Sequence, residues 1–182
     1  MYEVEVKIPA GHRRVRDRLE KLGAETRGAV TQEDTYYNAP HREFAETDEA
    51  LRVRHESPAD GESRAYLTYK GPLVDEESKT REEFETAVEN GTVVDELLAR
   101  LGFDPAATVR KNRELYTLDG YTVTLDAVEG LGEFVEVETE TETGVDKARE
   151  GAFDVLGRLG LDPENGVRRS YLALLLAGDD PE

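Results

Sequence analysis

The feature that most constrains this chain is a strict alternation of charged and apolar residues close to its N-terminus. In Glu3-Val4-Glu5-Val6-Lys7 a charged side chain recurs at every second position. Because successive side chains of a β-strand point to opposite faces, the charged residues share one face and the valines share the other. A single segment of this kind is typical of an amphipathic strand with a solvated charged face.

The same alternation recurs in later segments, and the recurrence changes what the charges imply. These segments are Arg52-Val53-Arg54, Thr68-Tyr69-Lys70, Glu83-Phe84-Glu85 and Glu136-Val137-Glu138. Charged faces of both signs on several strands predict that these faces meet around a shared polar interior. Burying an unpaired charge costs more than the stability margin of a fold, so such an interior has to be wet or charge-matched. An anionic ligand with its metal ions would provide that match.

The composition limits the partners and the environment of the protein. With 41 acidic and 23 basic residues the net charge is −18, which argues against nucleic acid or an anionic membrane as a partner. Cysteine is absent from the sequence, so disulfides and thiolate metal sites are excluded. Only six lysines accompany the 41 acidic residues, which indicates a halophilic protein adapted to high salt. Neither a membrane-spanning run nor a secretory segment is evident, so we expect a cytoplasmic protein.

The pattern of strands and turns predicts one domain, residues 1–182, of the α+β class. Many antiparallel strands and few helices indicate a strongly curved sheet or barrel. Asp119-Gly120 is the clearest hairpin turn, Gly71–Lys79 is predicted as a polar loop, and Val167–Leu176 is predicted as the last helix. The sequence has no P-loop, and its three histidines lack metal-ligand spacing, so we expect them at the surface.

An ordered set of motifs along nearly the whole chain resembles the CYTH domain family, also called triphosphate tunnel metalloenzymes. The motifs are Glu3-x-Glu5-x-Lys7, Asp34-Thr35-Tyr36-Tyr37, Leu51-Arg52-Val53-Arg54, Thr68-Tyr69-Lys70-Gly71-Pro72, Arg81-Glu82-Glu83-Phe84-Glu85, Lys111-x-Arg113, Leu125-Asp126 and Gly132-Glu133-Phe134-Val135-Glu136-Val137-Glu138. The resemblance implies an antiparallel β-barrel tunnel of about eight strands with a charged lumen and a few flanking helices. Residues 34–40, 44–51, 71–72 and 128–132 resemble the CyaB-like class IV adenylate cyclases more than the thiamine triphosphatases of the family.

The resemblance also implies roles for individual residues. Glu3, Glu5, Glu136 and Glu138 would be ligands of Mg²⁺ or Mn²⁺, and Lys7, Arg52, Arg54, Lys70, Lys111 and Arg113 would form a triphosphate clamp. Asp126, Glu136 and Lys7 would be the catalytic residues, with Asp126 as a ligand or a proton acceptor. Glu83 and Glu85 would support the cations or the metal, and Arg81 would lie at the tunnel mouth. For each residue, a structural ion pair inside the barrel is the alternative.

The fold is compatible with more than one reaction. The resemblance favours an adenylate cyclase that converts ATP to cyclic AMP and pyrophosphate. The alternative is a triphosphatase acting on inorganic triphosphate, thiamine triphosphate or a nucleoside triphosphate. A non-catalytic polyphosphate-binding protein is a third hypothesis. Arg169 and Tyr171 either begin the last helix or reach the substrate, and the sequence leaves open whether the protein forms a homodimer.

Overall fold

Antiparallel strands that alternate with short helices make up the chain. The computed structural model describes residues 2–74 and 78–178, and of Lys79 only the backbone. Within these residues the strands are β1 (Tyr2–Pro9), β2 (Glu25–Asn38), β3 (Ala50–Pro58), β4 (Arg64–Leu73), β5 (Lys79–Val88), β6 (Asp104–Leu118), β7 (Tyr121–Val128) and β8 (Gly132–Thr141). The α-helices are α1 (His12–Lys21), α2 (Gly91–Arg100), α3 (Val145–Arg158) and α4 (Tyr171–Gly178), and Pro163–Asn165 forms a 3₁₀ turn.

The strands close into a barrel in the order β1-β5-β4-β3-β2-β6-β7-β8, with β8 paired to β1. Neighbouring strands are antiparallel throughout, and at several positions the register places opposite charges across from one another. Lys7 faces Glu136, and Arg113 faces Asp126. The predicted α+β fold, an antiparallel β-barrel with flanking helices, is confirmed.

The apolar face of the strands lies on the outside of the barrel and is covered by helices. Val6 and Ile8 of β1 pack with Val15 and Leu19 of α1 in one buried cluster. The same cluster includes Leu118, Val123, Leu125, Val135 and Val137 from the barrel and Ala152, Val155, Leu156 and Leu159 from α3 and its end. Each fully buried aliphatic side chain contributes about 1.5–3 kcal/mol. The hydrophobic core thus lies between the barrel and the helices, which leaves the interior of the barrel to polar side chains.

Two predicted element boundaries differ from the structure. Strand β4 continues through Gly71 to Leu73, so the predicted polar loop begins later, and residues 75–77 lie outside the described residues. Helix α4 begins at Tyr171 and not at Val167. The N–H of Val167 donates to the carbonyl of Lys7 at 2.8 Å, and Ser170 Oγ accepts from the N–H of Ala173 at 3.0 Å as an N-cap.

The predicted surface location of the histidines is wrong for His12. This side chain is 3% exposed, and its Nε2 lies 3.0 Å from the carbonyl oxygen of Phe134. It is a buried residue that ties α1 to β8. No helix in the described part of the chain has the length and apolar character needed to span a membrane.

Candidate functional site

The inward face of every strand of the barrel carries polar or charged side chains. They are Glu3, Glu5 and Lys7 of β1, Asp34 of β2, Arg52 and Arg54 of β3, Lys70 of β4, Arg81, Glu83 and Glu85 of β5, Lys111 and Arg113 of β6, Asp126 of β7, and Glu136 and Glu138 of β8. The predicted site residues other than Asp126 line one cavity of about 490 Å³. Asp126 is fully buried directly behind Lys111 and Arg113.

Lys7 is held between two carboxylates. Its Nζ lies 3.2 Å from Glu5 Oε1 and 3.0 Å from Glu136 Oε1. Burial alone would lower the pKa of Lys7, but the charges of Glu5 and Glu136 outweigh it and raise this pKa above its ordinary value. Lys7 therefore remains a cation inside the barrel.

Arg113 and Asp126 form a bidentate ion pair. Arg113 donates through Nε to Asp126 Oδ1 at 2.7 Å and through Nη2 to Asp126 Oδ2 at 2.6 Å, and it also donates to Glu136 Oε2. Lys111 Nζ lies 3.3 Å from Asp126 Oδ2. Against the effect of burial, Arg113 and Lys111 lower the pKa of Asp126. This arrangement favours an organising role for Asp126 over that of a proton acceptor.

Lys111 differs from the other cations of the predicted clamp. Burial and the neighbouring positive charges of Arg113 and Arg54 lower its pKa to about 8, although Asp126 opposes them. A further negative charge beside Lys111 would raise this pKa again.

Asp34, to which the sequence motifs assigned no role, is a buried partner of two arginines. Arg54 donates to Asp34 through Nε at 2.6 Å and Nη2 at 2.7 Å, and Arg52 donates through Nη1 at 3.4 Å. The arginines outweigh the effect of burial and lower the pKa of Asp34. The alternation of Gln32, Asp34 and Tyr36 in β2 places them on one face and is a signal that could have found this residue.

Lys70 and Arg52 connect to the acidic side of the barrel. Lys70 Nζ lies within ion-pair distance of Glu3 Oε2 and of Glu83 Oε2, at 2.5 and 2.8 Å. Arg52 Nη2 lies 3.7 Å from Glu85 Oε2, which also accepts a hydrogen bond from Thr68 at 2.7 Å. Burial, opposed by Lys70, and the charge of Glu3 raise the pKa of Glu83 to about 7. The predicted supporting residues Glu83 and Glu85 thus contact clamp cations.

Three of the predicted metal ligands come together in a carboxylate cluster. One oxygen from each of Glu3, Glu5 and Glu138 lies within 4.8 Å of the others, and Glu5 faces Glu138 across the β1–β8 pair. Burial raises the pKa of Glu138 to about 7; the charges of Glu3 and Glu136 add to this effect, and Arg113 opposes it. Carboxylate oxygens are the ligands that Mg²⁺ and Mn²⁺ prefer, so this donor set fits such an ion. Glu136 stands outside the cluster, where its oxygens contact Lys7 and Arg113.

Arg81 fastens the segment that borders one mouth of the tunnel. It donates through Nη1 to the carbonyl oxygens of Gly71 and Asp48 and through Nη2 to Asp48 Oδ1 at 2.8 Å. Asp48 Oδ2 also accepts the N–H of Leu73 at 2.9 Å. The segment before β3 lines the cavity with Phe44, and Arg81 lines the same cavity beside this segment.

Helix α4 closes the same mouth from the other side. Leu172 and Leu176 line the cavity together with Tyr171, which is 5% exposed. The hydroxyl of Tyr171 donates to Asp126 Oδ2 at 3.0 Å. Tyr171 therefore both begins α4 and contacts the site residues, two roles that the sequence offered as alternatives. The C-terminal position of this aromatic residue gave no periodic signal. Arg169 is exposed, with its Nη2 3.5 Å from the carbonyl of Ala173.

Comparison with known proteins finds one family model, related sequences and a related structure that each match most of the chain. A family model described as the CYTH domain matches residues 1–171. "Putative adenylate cyclase MJ0240" of Methanocaldococcus jannaschii is 38% identical over 177 residues, which cover 96% of this chain and 98% of that protein. Adenylate cyclase CyaB of Aeromonas hydrophila is 26% identical over 145 residues, 79% of this chain and 71% of that protein. The solved structure of the PH1819 protein from Pyrococcus horikoshii superposes with a TM-score of 0.90 at 41% identity, covering 97% of this chain and 99% of that one.

Proposed function

The chain belongs to the CYTH domain family and is a phosphoryl-transfer enzyme of that family, and from this premise we propose that it converts ATP to cyclic AMP and pyrophosphate with a divalent metal ion. The observation that carries the proposal is the convergence of opposite charges in one cavity of about 490 Å³. The cations of the predicted clamp line this cavity beside the carboxylate cluster of Glu3, Glu5 and Glu138.

The clamp is suited to a chain of phosphates. Arg54 and Arg113 each use Nε and Nη2 to bind a buried aspartate. This sideways pairing fixes the plane of each guanidinium and leaves its Nη1 group for a ligand. Arginine forks bind phosphate oxygens with defined geometry, and Lys7, Lys70 and Lys111 add compact positive charges. These residues would bind and orient the triphosphate.

Glu3, Glu5 and Glu138 are the residues that would hold Mg²⁺ or Mn²⁺. Bound there, the ion would neutralise phosphate charge and favour an oxygen nucleophile. Glu136 lies beside this cluster and holds Lys7 and Arg113 in place through its two oxygens. We therefore propose a positioning role for Glu136 within the predicted catalytic set.

The mouth of the tunnel supports a nucleotide as the substrate. Phe44, Leu172 and Leu176 border it, and apolar side chains of this kind accept a nucleobase. In the cyclase reaction the ribose 3′-oxygen forms a bond to the α-phosphorus, and the bond from this phosphorus to the β-phosphate oxygen breaks. The 3′-hydroxyl proton is released, and pyrophosphate leaves. The relatives named as adenylate cyclases support this reaction over others of the family.

A triphosphatase is the second candidate, since the same clamp and carboxylates would orient a triphosphate for attack by water at the γ-phosphorus. Incubation with Mg-ATP or Mn-ATP and separation of the products by chromatography tests both. Cyclic AMP and pyrophosphate are expected, and orthophosphate without cyclic AMP would replace the cyclase with a triphosphatase. Glu138→Gln should lose most of the turnover, whereas Glu142→Gln, at an exposed position directly after β8, should match the unmodified protein. Binding without turnover under either metal would leave a polyphosphate-binding protein.

A further inference from the structure

We propose that Tyr171 is a positioning residue: its ring holds Lys7 and Lys111, and its hydroxyl holds Asp126, in the arrangement that receives the triphosphate. The inference deepens the proposed function and rests on it. Tyr171 lies on α4, outside the barrel strands, so the phosphate clamp would be completed by a helix that packs across its end.

The ring of Tyr171 lies against two lysines from different strands. Lys7 Nζ of β1 is 3.8 Å from the ring centroid, and Lys111 Nζ of β6 is 5.0 Å from it. An ammonium group within about 6 Å of an aromatic centroid is attracted to the ring face, and more strongly when both are desolvated. Lys7 and Lys111 are 2% and 5% exposed, so both contacts are shielded from water.

The Tyr171 side chain is itself held by two contacts, one through its ring and one through its hydroxyl. Phe134 meets it edge to face, with the centroids 5.1 Å apart and the planes at 68°. The hydroxyl donates to Asp126 Oδ2 at 3.0 Å, the same oxygen that accepts from Arg113. Burial and the charges of Glu136 and Asp126 raise the pKa of Tyr171 above its ordinary value, so the hydroxyl stays protonated and remains a donor.

The segment before α4 holds Tyr171 in register with the barrel. The N–H of Val167 donates to the carbonyl of Lys7, and Ser170 caps the helix through the N–H of Ala173. Without the ring, Lys7 would be drawn toward Glu5 and Glu136, and Lys111 toward Asp126. Each lysine would then have to be reoriented when a triphosphate binds, which lowers affinity.

The scarcity of lysine makes the arrangement measurable. With six lysines in the chain, selective ¹³C labelling of their Cε atoms gives six NMR signals. In the unmodified protein the Cε protons of Lys7 and Lys111 should be shifted upfield by the ring, unlike those of Lys21 and Lys147. Tyr171→Phe should keep these shifts, and Tyr171→Leu should abolish them. Ala177→Ser, at an exposed position of α4, is the control and should change neither.

Binding of tripolyphosphate without metal, measured by calorimetry, gives the functional consequence. We expect Kd to rise about tenfold or more in Tyr171→Leu and at most about threefold in Tyr171→Phe, because the phenylalanine keeps the ring. Equal affinity in the leucine variant, or unshifted Lys7 and Lys111 signals in the unmodified protein, would overturn the inference. If the lysine shifts follow the prediction but the unmodified protein binds no tripolyphosphate, the proposed function fails, and with it the role of Tyr171 in binding.

Discussion

Replacing Asp34 by asparagine removes the charge that balances two buried arginines. Asp34 is 1% exposed and accepts hydrogen bonds from Arg54 at 2.6 and 2.7 Å and from Arg52 at 3.4 Å. Breaking a buried ion pair by removing one partner costs about 3–5 kcal/mol, because the other charge stays buried without compensation. For a domain of this size, each kcal/mol lowers Tm by about 2–4 °C, so Asp34→Asn should melt about 6–20 °C lower.

Scanning calorimetry with and without tripolyphosphate tests this reasoning. An anion that binds only the folded protein stabilises it by mass action, and in Asp34→Asn it also supplies charge that the arginines lack. The ligand should therefore raise Tm more in the variant than in the unmodified protein. Because the folded pKa of Asp34 is lowered, its contribution is fully present above the unfolded pKa of about 3.9 and is lost as pH falls below it. The difference in Tm between Asp34→Asn and the unmodified protein should accordingly become smaller at acidic pH.

Asp119→Asn is the matched control for this substitution. Asp119 also pairs with an arginine, Arg158, but its side chain is 57% exposed. Exposed ion pairs contribute about 0–1 kcal/mol, so this variant should melt within a few degrees of the unmodified protein. A loss in Asp34→Asn no larger than in Asp119→Asn, or a smaller ligand-induced rise in Tm, would refute the claim that Asp34 compensates buried cations that a triphosphate also binds.

Three further predictions concern the clamp, the carboxylate cluster and the mouth. Because the pKa of Lys111 is about 8 in the free protein and a triphosphate would raise it, affinity should fall by up to about tenfold per pH unit above pH 8. This loss of affinity above pH 8 should be smaller in Lys111→Arg. If the variant shows the same pH dependence as the unmodified protein, Lys111 is not the group responsible. Either chelation of divalent metal or Glu138→Gln should lower turnover by about 100-fold or more while metal-free tripolyphosphate binding persists, as calorimetry would show. Arg81→Met should speed proteolysis within residues 43–49 and raise KM for ATP. Arg110→Met, which removes an exposed ion pair, should do neither. Equal proteolysis rates in the two variants would contradict the role of Arg81 in holding this segment.

The sequence predicted the barrel because one physical constraint repeats along it. Charged residues at alternate positions of several strands cannot all face a hydrophobic core, so a polar interior was the consistent solution. The structure has this arrangement, with Val6 and Ile8 packed outward under the helices. The closed barrel topology was predicted from the resemblance of the motifs to the CYTH family. The alternation of Glu3, Glu5 and Lys7 alone does not specify it.

The partners of the predicted site residues were harder to predict. The alternation of Gln32, Asp34 and Tyr36 marks a face of β2, but the partner of Asp34 appears only once β2 lies beside β3 and places it opposite Arg54. Tyr171 reaches the interior from a helix, so no strand alternation marks it. The position of Glu136 between Lys7 and Arg113 likewise depends on the closure of β8 on β1. The single domain, the cytoplasmic location, the adaptation to high salt and the absence of nucleic-acid and membrane partners stay predictions, and the homodimer stays an open question.

Calorimetric titration of the metal-free protein with tripolyphosphate tests most directly whether the charged barrel receives a triphosphate. We predict one binding site per chain, an affinity that falls as salt is raised, and binding that is lost in Arg54→Leu but retained in Arg110→Leu at the surface. A folded protein that takes up no tripolyphosphate, or that binds it equally well in both variants, would contradict the account.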